Sequence, residues 1–313
     1  MAVVPSMRAM TYDRYGDNAV LELTELPTPK VGPGQILVRV TRASVNPVDW
    51  KVMAGGLDAM MDAHFPVVPG WDVAGVVEQI GPDTPEFAVG DRVASYGRKM
   101  VVSGGTFAEY VTLPAEFATM IPDGVTDDAA AALPLTGLTA KRSIEALDLS
   151  DGDTVLIHAA SGGVGYLASQ LALAKGATVI GTASEANAGK LTALGVTPVA
   201  YGDGLEDRVR EIAPDGVDAV ADYIGDVLDV TLAVLTEGGR HVSITDPAVT
   251  EHGGRWLWVR PDAAGLAELL RLVDAGELTL DIDRTYPLDQ VAEAFRVSQA
   301  GEAKGKLLID VTR

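Results

Sequence analysis

The chain has 313 residues, no cysteine and a formal net charge of −20 at pH 7. This length is sufficient for two domains with separate cores. The absence of cysteine excludes disulfide bonds, thiolate nucleophiles and cysteine-ligated zinc. The strong negative charge argues against nucleic-acid partners, which are bound by basic surfaces. No apolar run reaches the length of a membrane span, so we expect no membrane insertion.

Two further features bear on location and on metals. The first ten residues contain no long apolar segment, so no secretory signal is expected and a cytoplasmic location is the default expectation. No two histidines stand at a metal-binding spacing, so metal catalysis is not expected. The histidines are His64, His158, His241 and His252.

The N-terminal part of the chain, residues 1–122, is predicted to be rich in short strands. Glycine and proline turns separate its apolar stretches, which is typical of a small barrel-like domain. The predicted strands cover 7–13, 19–25, 36–43, 73–80, 91–96 and 107–113. Pro47 is expected to open a short helix, and the proline- and glycine-containing stretch 66–70 is expected to be a loop.

Strands and helices alternate from about residue 123, which predicts a doubly wound parallel sheet. The predicted strands cover 154–158, 178–182, 198–200, 217–222 and 240–244. The predicted helices cover 127–132 (with Thr126 as N-cap), 134–147, 164–175, 185–194, 205–212, 227–235 and 263–275. The tail adds a strand (281–286), a helix (289–300) and a strand (306–311). We expect 278–313 to join 1–122 in one discontinuous domain, with 123–277 as the other.

A glycine-rich turn after the strand 154–158 has the spacing of a dinucleotide fingerprint. Ala160, Gly162 and Gly165 form A-x-G-x-x-G between a buried strand and an apolar helix, which is the context that this motif requires. The free N–H groups at the start of the helix would face a pyrophosphate. The residues expected at the phosphates are Ala160, Ser161, Gly162, Gly163, Val164 and Gly165. The alternative is a glycine-rich strand–helix turn without a ligand.

Several motifs occur along the chain in an order that resembles a known superfamily. They are N-P-V-D (46–49), V-P-G-W-D-V-A-G (68–75), G-D-R-V (90–93), L-T-G-L-T-A (135–140), A-A-S-G-G-V-G (159–165), G-G-R (238–240) and G-K-L (305–307). Together they resemble the medium-chain dehydrogenase/reductase superfamily, specifically its zinc-free, zeta-crystallin-like quinone oxidoreductase branch. The resemblance covers nearly the whole chain. It implies an α/β fold, with a Rossmann domain beside a discontinuous, β-rich GroES-like barrel.

The sequence departs from the zinc-dependent members of that superfamily at their metal ligands. Those enzymes have a cysteine where Asn46 stands and Gly-His-Glu where Gly70, Trp71 and Asp72 stand, and the four-cysteine structural zinc loop is also missing here. The resemblance therefore implies an enzyme without zinc. Without a Lewis acid, a simple ketone or alcohol is harder to activate, so a quinone or an activated enone is the expected acceptor.

The resemblance also implies roles for three residues before the Rossmann strands. Asn46 is expected to contact the nicotinamide side of the cofactor or the substrate, and to donate a hydrogen bond to the acceptor oxygen. Its alternative role is that of a turn asparagine that satisfies local backbone groups before proline. Thr136 is expected at the nicotinamide phosphoribosyl group, or as a helix cap, or both. Trp50 is expected to wall the substrate pocket, unless it belongs to the core, and Asp49 is expected to be structural.

Positions after the later Rossmann strands are expected to surround the nicotinamide ring. Ligands of such sheets bind outside the carboxyl ends of the strands, which selects Ile224, Ser243 and Ile244. Their alternative role is ordinary packing beside loops. The loops 99–105 and 246–255 are expected to shape the substrate pocket. His158 is expected to be a buried core histidine rather than a base.

The choice between NADPH and NADH depends on the end of the strand 178–182. NAD-specific sites usually place a carboxylate there for the ribose 2′-OH, whereas this strand is followed by Ser184, as in NADPH-using relatives. Lys190 and Tyr201 would complete a 2′-phosphate site, although Lys190 could instead be an exposed helix lysine. Glu185 would repel a phosphate if it pointed inward. NADPH is therefore favoured over NADH.

These predictions define an NADPH-dependent oxidoreductase with its active site in the cleft between two domains. Hydride would pass from the nicotinamide to a quinone or enone, with catalysis by proximity and orientation and with water as a source of the proton. One alternative is an enoyl-thioester reductase on the same scaffold, and another is a non-catalytic dinucleotide-binding redox sensor. The resemblance further implies a homodimer that pairs edge strands near 240–244 or the strand after it.

Overall fold

A computed structural model describes residues 5–313. Residues 1–4 lie outside the described residues. They belong to the N-terminal segment in which no secretory signal is expected. Strands and helices are numbered in chain order below.

The strands are β1 (Ser6–Thr11), β2 (Glu22–Pro27), β3 (Gln35–Val45), β4 (Ala63–Val68), β5 (Asp72–Ile80), β6 (Arg92–Tyr96), β7 (Val102–Gly104), β8 (Tyr110–Pro114), β9 (Ala118–Met120), β10 (Thr154–Ile157), β11 (Thr178–Ala183), β12 (Thr197–Ala200), β13 (Val217–Asp222), β14 (Leu235–Ser243), β15 (Arg255–Trp256), β16 (Ile282–Pro287) and β17 (Lys306–Asp310). The helices are α1 (Pro47–Met53), α2 (Asp127–Ala132), α3 (Pro134–Leu147), α4 (Gly163–Ala174), α5 (Glu185–Leu194), α6 (Leu205–Ile212), α7 (Leu228–Val234), α8 (Ala263–Asp274) and α9 (Val291–Gln299).

One compact unit, residues 136–259, is built on a six-stranded parallel sheet. Its strand order is β12-β11-β10-β13-β14-β15, which is the 3-2-1-4-5-6 order of a Rossmann fold. Side chains from its central strands and helices form a continuous core that includes Leu156, Ile180, Val209 and Val220. The predicted doubly wound parallel sheet is confirmed.

The other unit is β-rich and contains both ends of the described chain, residues 5–135 and 260–313. Its main sheet has the order β16-β17-β3-β5-β6-β9, with β8 also paired to β3. The last strand, β17, pairs antiparallel with β3, so that Leu307 lies opposite Val45. The predicted return of the tail to the N-terminal domain is therefore confirmed.

The borders between the units differ from the predicted ones at 122/123 and 277/278, because two helices belong to the β-rich unit. Helix α2 packs on β3 and β5. There, the Thr41 hydroxyl donates to the Asp127 carboxylate (2.7 Å), and Arg42 donates to Asp128 (2.6 Å). Helix α8 packs on β9. Sequence patterning detects helices but does not identify the sheet that each one covers.

Two local predictions in the N-terminal part were wrong. The stretch predicted as a loop at 66–70 begins inside β4, which runs to Val68 and pairs only with β7 among the named strands. A proline is tolerated in such an edge strand because its missing N–H breaks no central ladder. The second predicted strand starts at Glu22 rather than at residue 19, because residues 18–20 form a 3₁₀ turn capped by Asp17.

The helix starts follow local capping chemistry. Asn46 has extended backbone angles (φ −125°, ψ 148°) before Pro47, the first residue of α1, as expected for a residue that precedes proline. The hydroxyl of Thr126 accepts the N–H of Ala129 at 3.2 Å and caps α2, as predicted. Among residues 5–313, no helix combines the length and hydrophobicity that crossing a membrane requires.

Gly75 offers a test of how tightly β3 and β5 pack. A Cβ atom at this position would clash with the carbonyl oxygen of Arg39 and lie 2.7 Å from Cγ1 of Val38. We therefore expect Gly75→Ala to lower the free energy of unfolding by about 1–3 kcal/mol, measured by urea denaturation. The matched control is Gly189→Ala in α5, where a Cβ meets nothing within 4 Å. It should be neutral or stabilising by up to about 1 kcal/mol, and equal losses in both variants would contradict the packing argument.

Candidate active site

The fingerprint turn lies at the carboxyl end of β10, directly before α4. Ala159 has a left-handed backbone (φ 53°), and its N–H is held by the Thr182 hydroxyl at 2.8 Å. Gly162 is the N-cap of α4. A Cβ at Gly165 would lie 2.7 Å from Cα of Ala160 and would clash with the carbonyl of Ala159. This position thus requires glycine for the close approach of helix and turn.

The turn has the features that a pyrophosphate requires. Gly162 and Gly163 are exposed, and the first N–H groups of an α-helix lack intrahelical partners and carry the positive end of its dipole. The twelve residues of α4 follow directly. These residues therefore fit the phosphates of a dinucleotide.

Lys190 on α5 is directed back to the fingerprint turn. Its Nζ atom donates to the carbonyl of Ser161 at 3.1 Å and lies 4.6 Å from the centre of the Tyr166 ring. The side chain is half-buried, so the alternative of an exposed helix lysine does not describe it. Ser184 is the N-cap residue of α5, and Glu185 is exposed in the first turn.

Tyr201 follows β12 in a loop held by the guanidinium of Arg208. That guanidinium donates to the carbonyls of Ala200 at 3.1 Å and Asp203 at 2.8 Å. The Tyr201 side chain is 64% exposed and therefore accessible to a ligand. Its proposed contact with a 2′-phosphate stays a prediction.

Asp222, which the sequence argument did not select, joins the loops after β13 and β14. Its Oδ1 accepts the N–H groups of Ile224 (2.8 Å) and Gly225 (2.9 Å), and its Oδ2 accepts the hydroxyl of Ser243 (2.7 Å). The N–H of Ile244 donates to the Asp222 carbonyl at 3.2 Å. The carboxylate and the backbone carbonyl of Asp222 thus bring Ile224, Ser243 and Ile244 together at the carboxyl edge of the sheet. Its place as the last residue of β13 was the available signal.

His158 follows β10 and is buried, as the sequence predicts. Its Nε2 lies 3.5 Å from the hydroxyl of Thr231. Burial lowers the pKa of His158 to about 4, although Asp222 opposes that shift. The imidazole is therefore neutral at physiological pH, which suits a core residue.

In the β-rich unit, Asn46 is the centre of a buried polar cluster. The cluster comprises Ser44, Asn46, Asp72 and Lys306, each at most 6% exposed. The Asn46 amide nitrogen donates to Asp72 Oδ2 at 2.8 Å, and its amide oxygen accepts from Lys306 Nζ at 2.7 Å. The side chain therefore contacts β5 and β17, and Asn46 also forms a capping box with Asp49 at the start of α1.

The Asp72 carboxylate is held by donors on both oxygens. The N–H of Leu135 donates to Oδ1 at 2.8 Å, and the hydroxyl of Ser44 donates to Oδ2 at 2.8 Å. Lys306 Nζ also donates to the carbonyl of Val45 at 3.1 Å and lies 4.0 Å from Asp72 Oδ2. Burial raises the pKa of Asp72 and lowers that of Lys306, while their mutual attraction opposes both shifts.

Asp49 is a second buried carboxyl group beside this cluster. Its Oδ2 accepts the N–H of Asn46 at 2.7 Å, whereas its Oδ1 is buried without a hydrogen-bond partner. Burial raises the pKa of Asp49 to about 8; the Asn46 N–H and Lys306 oppose this shift, and Asp72 adds to it. Asp49 is thus predominantly protonated at neutral pH.

A pocket in the β-rich unit opens beside Asp49. The loop expected to shape the substrate site contributes Lys99 and residues 101–105 to its lining, and Trp71 lines it as well. Burial lowers the pKa of Lys99. Trp50 is not among the lining residues; its indole N–H donates to the hydroxyl of Ser298 at 3.2 Å. Its predicted role as a pocket wall remains untested.

The remaining predicted positions lie in the Rossmann unit. Thr136 is buried in the first turn of α3, which begins at Pro134. The second predicted substrate loop, 246–255, follows β14 and leads into the edge strand β15.

Throughout residues 5–313, no three His, Cys, Asp or Glu side chains are grouped so that they could hold a metal ion.

The raised pKa of Asp49 predicts a pH-dependent stability. In the unfolded chain this carboxyl group has the ordinary pKa of 3.8, but the folded protein releases the proton only near pH 8, so Asp49 lowers stability progressively between these values. Asp49→Asn keeps an acceptor for the Asn46 N–H and removes the titration. Its stability relative to wild type should rise with pH by up to about 1.4 kcal/mol per unit over that interval. Denaturant unfolding at pH 5 and pH 8 measures this, and a constant difference would contradict the assignment.

Comparisons with known sequences identify two families along the chain. A family described as "Alcohol dehydrogenase GroES-like domain" matches residues 32–123, and one described as "Zinc-binding dehydrogenase" matches residues 194–309. An Arabidopsis thaliana chloroplastic protein, "NADPH-dependent alkenal/one oxidoreductase", is 31% identical over 98% of this chain and 80% of its own length. The "Chloroplast envelope quinone oxidoreductase homolog" of the same plant is 30% identical over 97% of this chain and 98% of its own.

The fold has similar relatives among solved structures. The quinone oxidoreductase from Coxiella burnetii superposes with a TM-score of 0.88 at 32% identity, and the match covers 98% of this chain and 99% of that one. The sequence motifs, the folds of the two units and the relatives that match nearly the whole chain all indicate the same family. The chain belongs to the medium-chain dehydrogenase/reductase superfamily, in its quinone oxidoreductase-like branch.

Proposed function

We propose that the protein is an NADPH-dependent oxidoreductase that reduces a quinone or an activated enone without zinc. The observation that carries the proposal is the fingerprint turn before α4, with Lys190 directed onto the carbonyl of Ser161. The names of the relatives from Arabidopsis and Coxiella support the acceptor class.

The Rossmann unit supplies the proposed cofactor site. Backbone N–H groups at Gly163 and Val164 would bind the pyrophosphate, and Lys190, Ser184 and Tyr201 would surround a 2′-phosphate. The exposed position of Glu185 leaves it free to turn towards solvent. When bound, the nicotinamide supplies a hydride, while Ile224 and Ile244 would exclude water from the ring and Thr136 would contact its phosphoribosyl group.

The β-rich unit supplies the proposed acceptor site. When hydride adds to a quinone or enone, negative charge develops on the carbonyl oxygen, and a fixed N–H donor stabilises that charge. The amide of Asn46 would provide this donor, and water would supply the proton. We propose that the enzyme does not depend on zinc, because the oxygen of Asn46 is already bonded to the ammonium of Lys306.

Assembly and location are further parts of the proposal. The parallel sheet has β12 at one edge and β15 at the other, whereas β14, which contains 240–243, is paired on both sides. A homodimer would therefore pair β15 with its symmetry mate. A cytoplasmic location is proposed from composition alone.

The proposed activity is tested by NADPH oxidation, followed by absorbance, with three classes of acceptor. We expect turnover with small quinones and with enones such as alkenals, and little with crotonyl thioesters. Preference for the thioesters would favour the enoyl-thioester reductase instead. Binding of NADPH without turnover of any acceptor would favour a redox sensor. A chelator should leave the rate unchanged, and loss of activity with restoration by zinc would refute zinc independence.

Lys190 offers a separate test of the cofactor preference. Lys190→Ala removes a cation from the proposed 2′-phosphate site, so it should weaken NADPH binding about tenfold or more, as expected for a charge-assisted contact of about 1.5–3 kcal/mol. NADH binding should be nearly unchanged, because NADH lacks that phosphate. Fluorescence titration measures both constants. Lys175→Ala, at the exposed C-cap of α4, is the matched control, and an equal effect of Lys190→Ala on both cofactors would refute the assignment.

A further inference from the structure

The amide of Asn46 lies between two partners of opposite hydrogen-bonding character. Its oxygen is 2.7 Å from Lys306 Nζ, and its nitrogen is 2.8 Å from Asp72 Oδ2. A lysine ammonium only donates hydrogen bonds, and an ionised carboxylate only accepts them. The two amide ends therefore have one arrangement, since a flipped amide would oppose donor to donor and acceptor to acceptor.

This arrangement leaves one N–H group of the Asn46 amide without a hydrogen-bond partner among the described residues. An amide nitrogen carries two N–H groups, and among the described residues Asn46 Nδ2 donates a single hydrogen bond, to Asp72. Its oxygen is bonded to Lys306, and its backbone N–H is bonded to Asp49 at 2.7 Å. A ligand that hydrogen-bonds this side chain therefore meets an N–H donor.

We propose that Lys306 and Asp72 are positioning residues that orient the Asn46 amide so that it presents its second N–H to the acceptor oxygen. The inference rests on the proposed function, since it assigns the origin of the donor used there. A donor held in advance needs no reorganisation when charge develops on the oxygen, which is why fixed donors stabilise such charge well.

The rest of the cluster keeps this orientation rigid. Pro47 fixes the chain on one side of Asn46, and the Asp49 carboxyl holds its backbone N–H. The Asp72 carboxylate is in turn held by Ser44 and by the N–H of Leu135. Each group that orients Asn46 thus has further partners, so the donor direction is set by β3, β5 and β17 together.

The test exchanges the two side chains of the Asn46–Asp72 pair. In Asn46→Asp/Asp72→Asn, the cluster keeps one carboxylate, one amide and the Lys306 ammonium, so the buried charge is unchanged. The hydrogen bond between positions 46 and 72 reverses its direction, and position 46 then offers only acceptors. We expect the folded protein to bind NADPH as wild type does, but kcat with a small quinone or enone to fall about 100-fold, as for loss of an oxyanion donor.

Two further variants keep the test decisive. Ser95→Ala removes the partly buried hydrogen bond from Ser95 to the carbonyl of Phe117 (2.7 Å) in the same unit and should lower stability without changing kcat. If the exchanged protein does not fold, Asn46→Leu replaces the amide with a similar apolar volume and adds no buried charge. It should show the same loss of kcat with unchanged NADPH binding.

The possible outcomes separate this inference from the proposed function. If the wild type does not oxidise NADPH with any of the acceptors tested, the proposed function fails. If the wild type is active and the exchanged enzyme keeps kcat within about twofold, the donor role of the oriented amide is refuted. Retention of activity in Asn46→Leu would refute it in the same way. A loss of kcat alone, with the NADPH dissociation constant unchanged, supports the inference.

Discussion

The fully buried ammonium of Lys306 is the constraint on which the β-rich unit depends. A buried charge is tolerated only when hydrogen bonds and an opposite charge surround it. Here the partners are the carbonyl of Val45, the amide oxygen of Asn46 and the Asp72 carboxylate at 4.0 Å. Lys306 is the first residue of β17, and these partners lie on or beside β3 and β5. The tail therefore returns to the N-terminal barrel with a charge that the barrel is built to receive.

The balance of charge explains why Asp49 is protonated. Asp49, Asp72 and Lys306 would carry a net charge of −1 in a buried site if all three were ionised. Asp72 has donors on both oxygens, whereas Asp49 has a donor on only one. The proton therefore resides on Asp49, whose pKa is raised to about 8. The cluster is then neutral overall, which reduces the cost of its burial.

The sequence predicts the Rossmann unit well because its signals are local. Glu185–Leu194 and Leu205–Ile212 have the predicted bounds, since apolar periodicity and end residues mark a helix within a few positions. The Asn46–Lys306 bond joins residues 260 positions apart, and no local pattern encodes it. The assignment of α2 and α8 to the β-rich unit is likewise a matter of tertiary packing. The strand β4 escaped prediction because Pro66 signals a loop.

The distinction between local sequence signals and tertiary contacts applies to the proposed chemistry as well. The residues at 46 and 71 show that two ligand types of the zinc-dependent relatives are missing, but not what replaces them. In the structure, the ammonium of Lys306 donates a hydrogen bond to the Asn46 oxygen and lies 4.0 Å from the Asp72 carboxylate. Both side chains therefore interact with a lysine. The ammonium donates hydrogen bonds to two oxygens, the carbonyl of Val45 and the amide oxygen of Asn46. It is a hydrogen-bond donor and offers no coordination position, whereas a catalytic zinc ion keeps one open for a substrate oxygen. In the proposed site, Lys306 acts on the acceptor through Asn46. Such a site orients a donor but polarises weakly, and this favours acceptors that already accept hydride readily, such as quinones and enones.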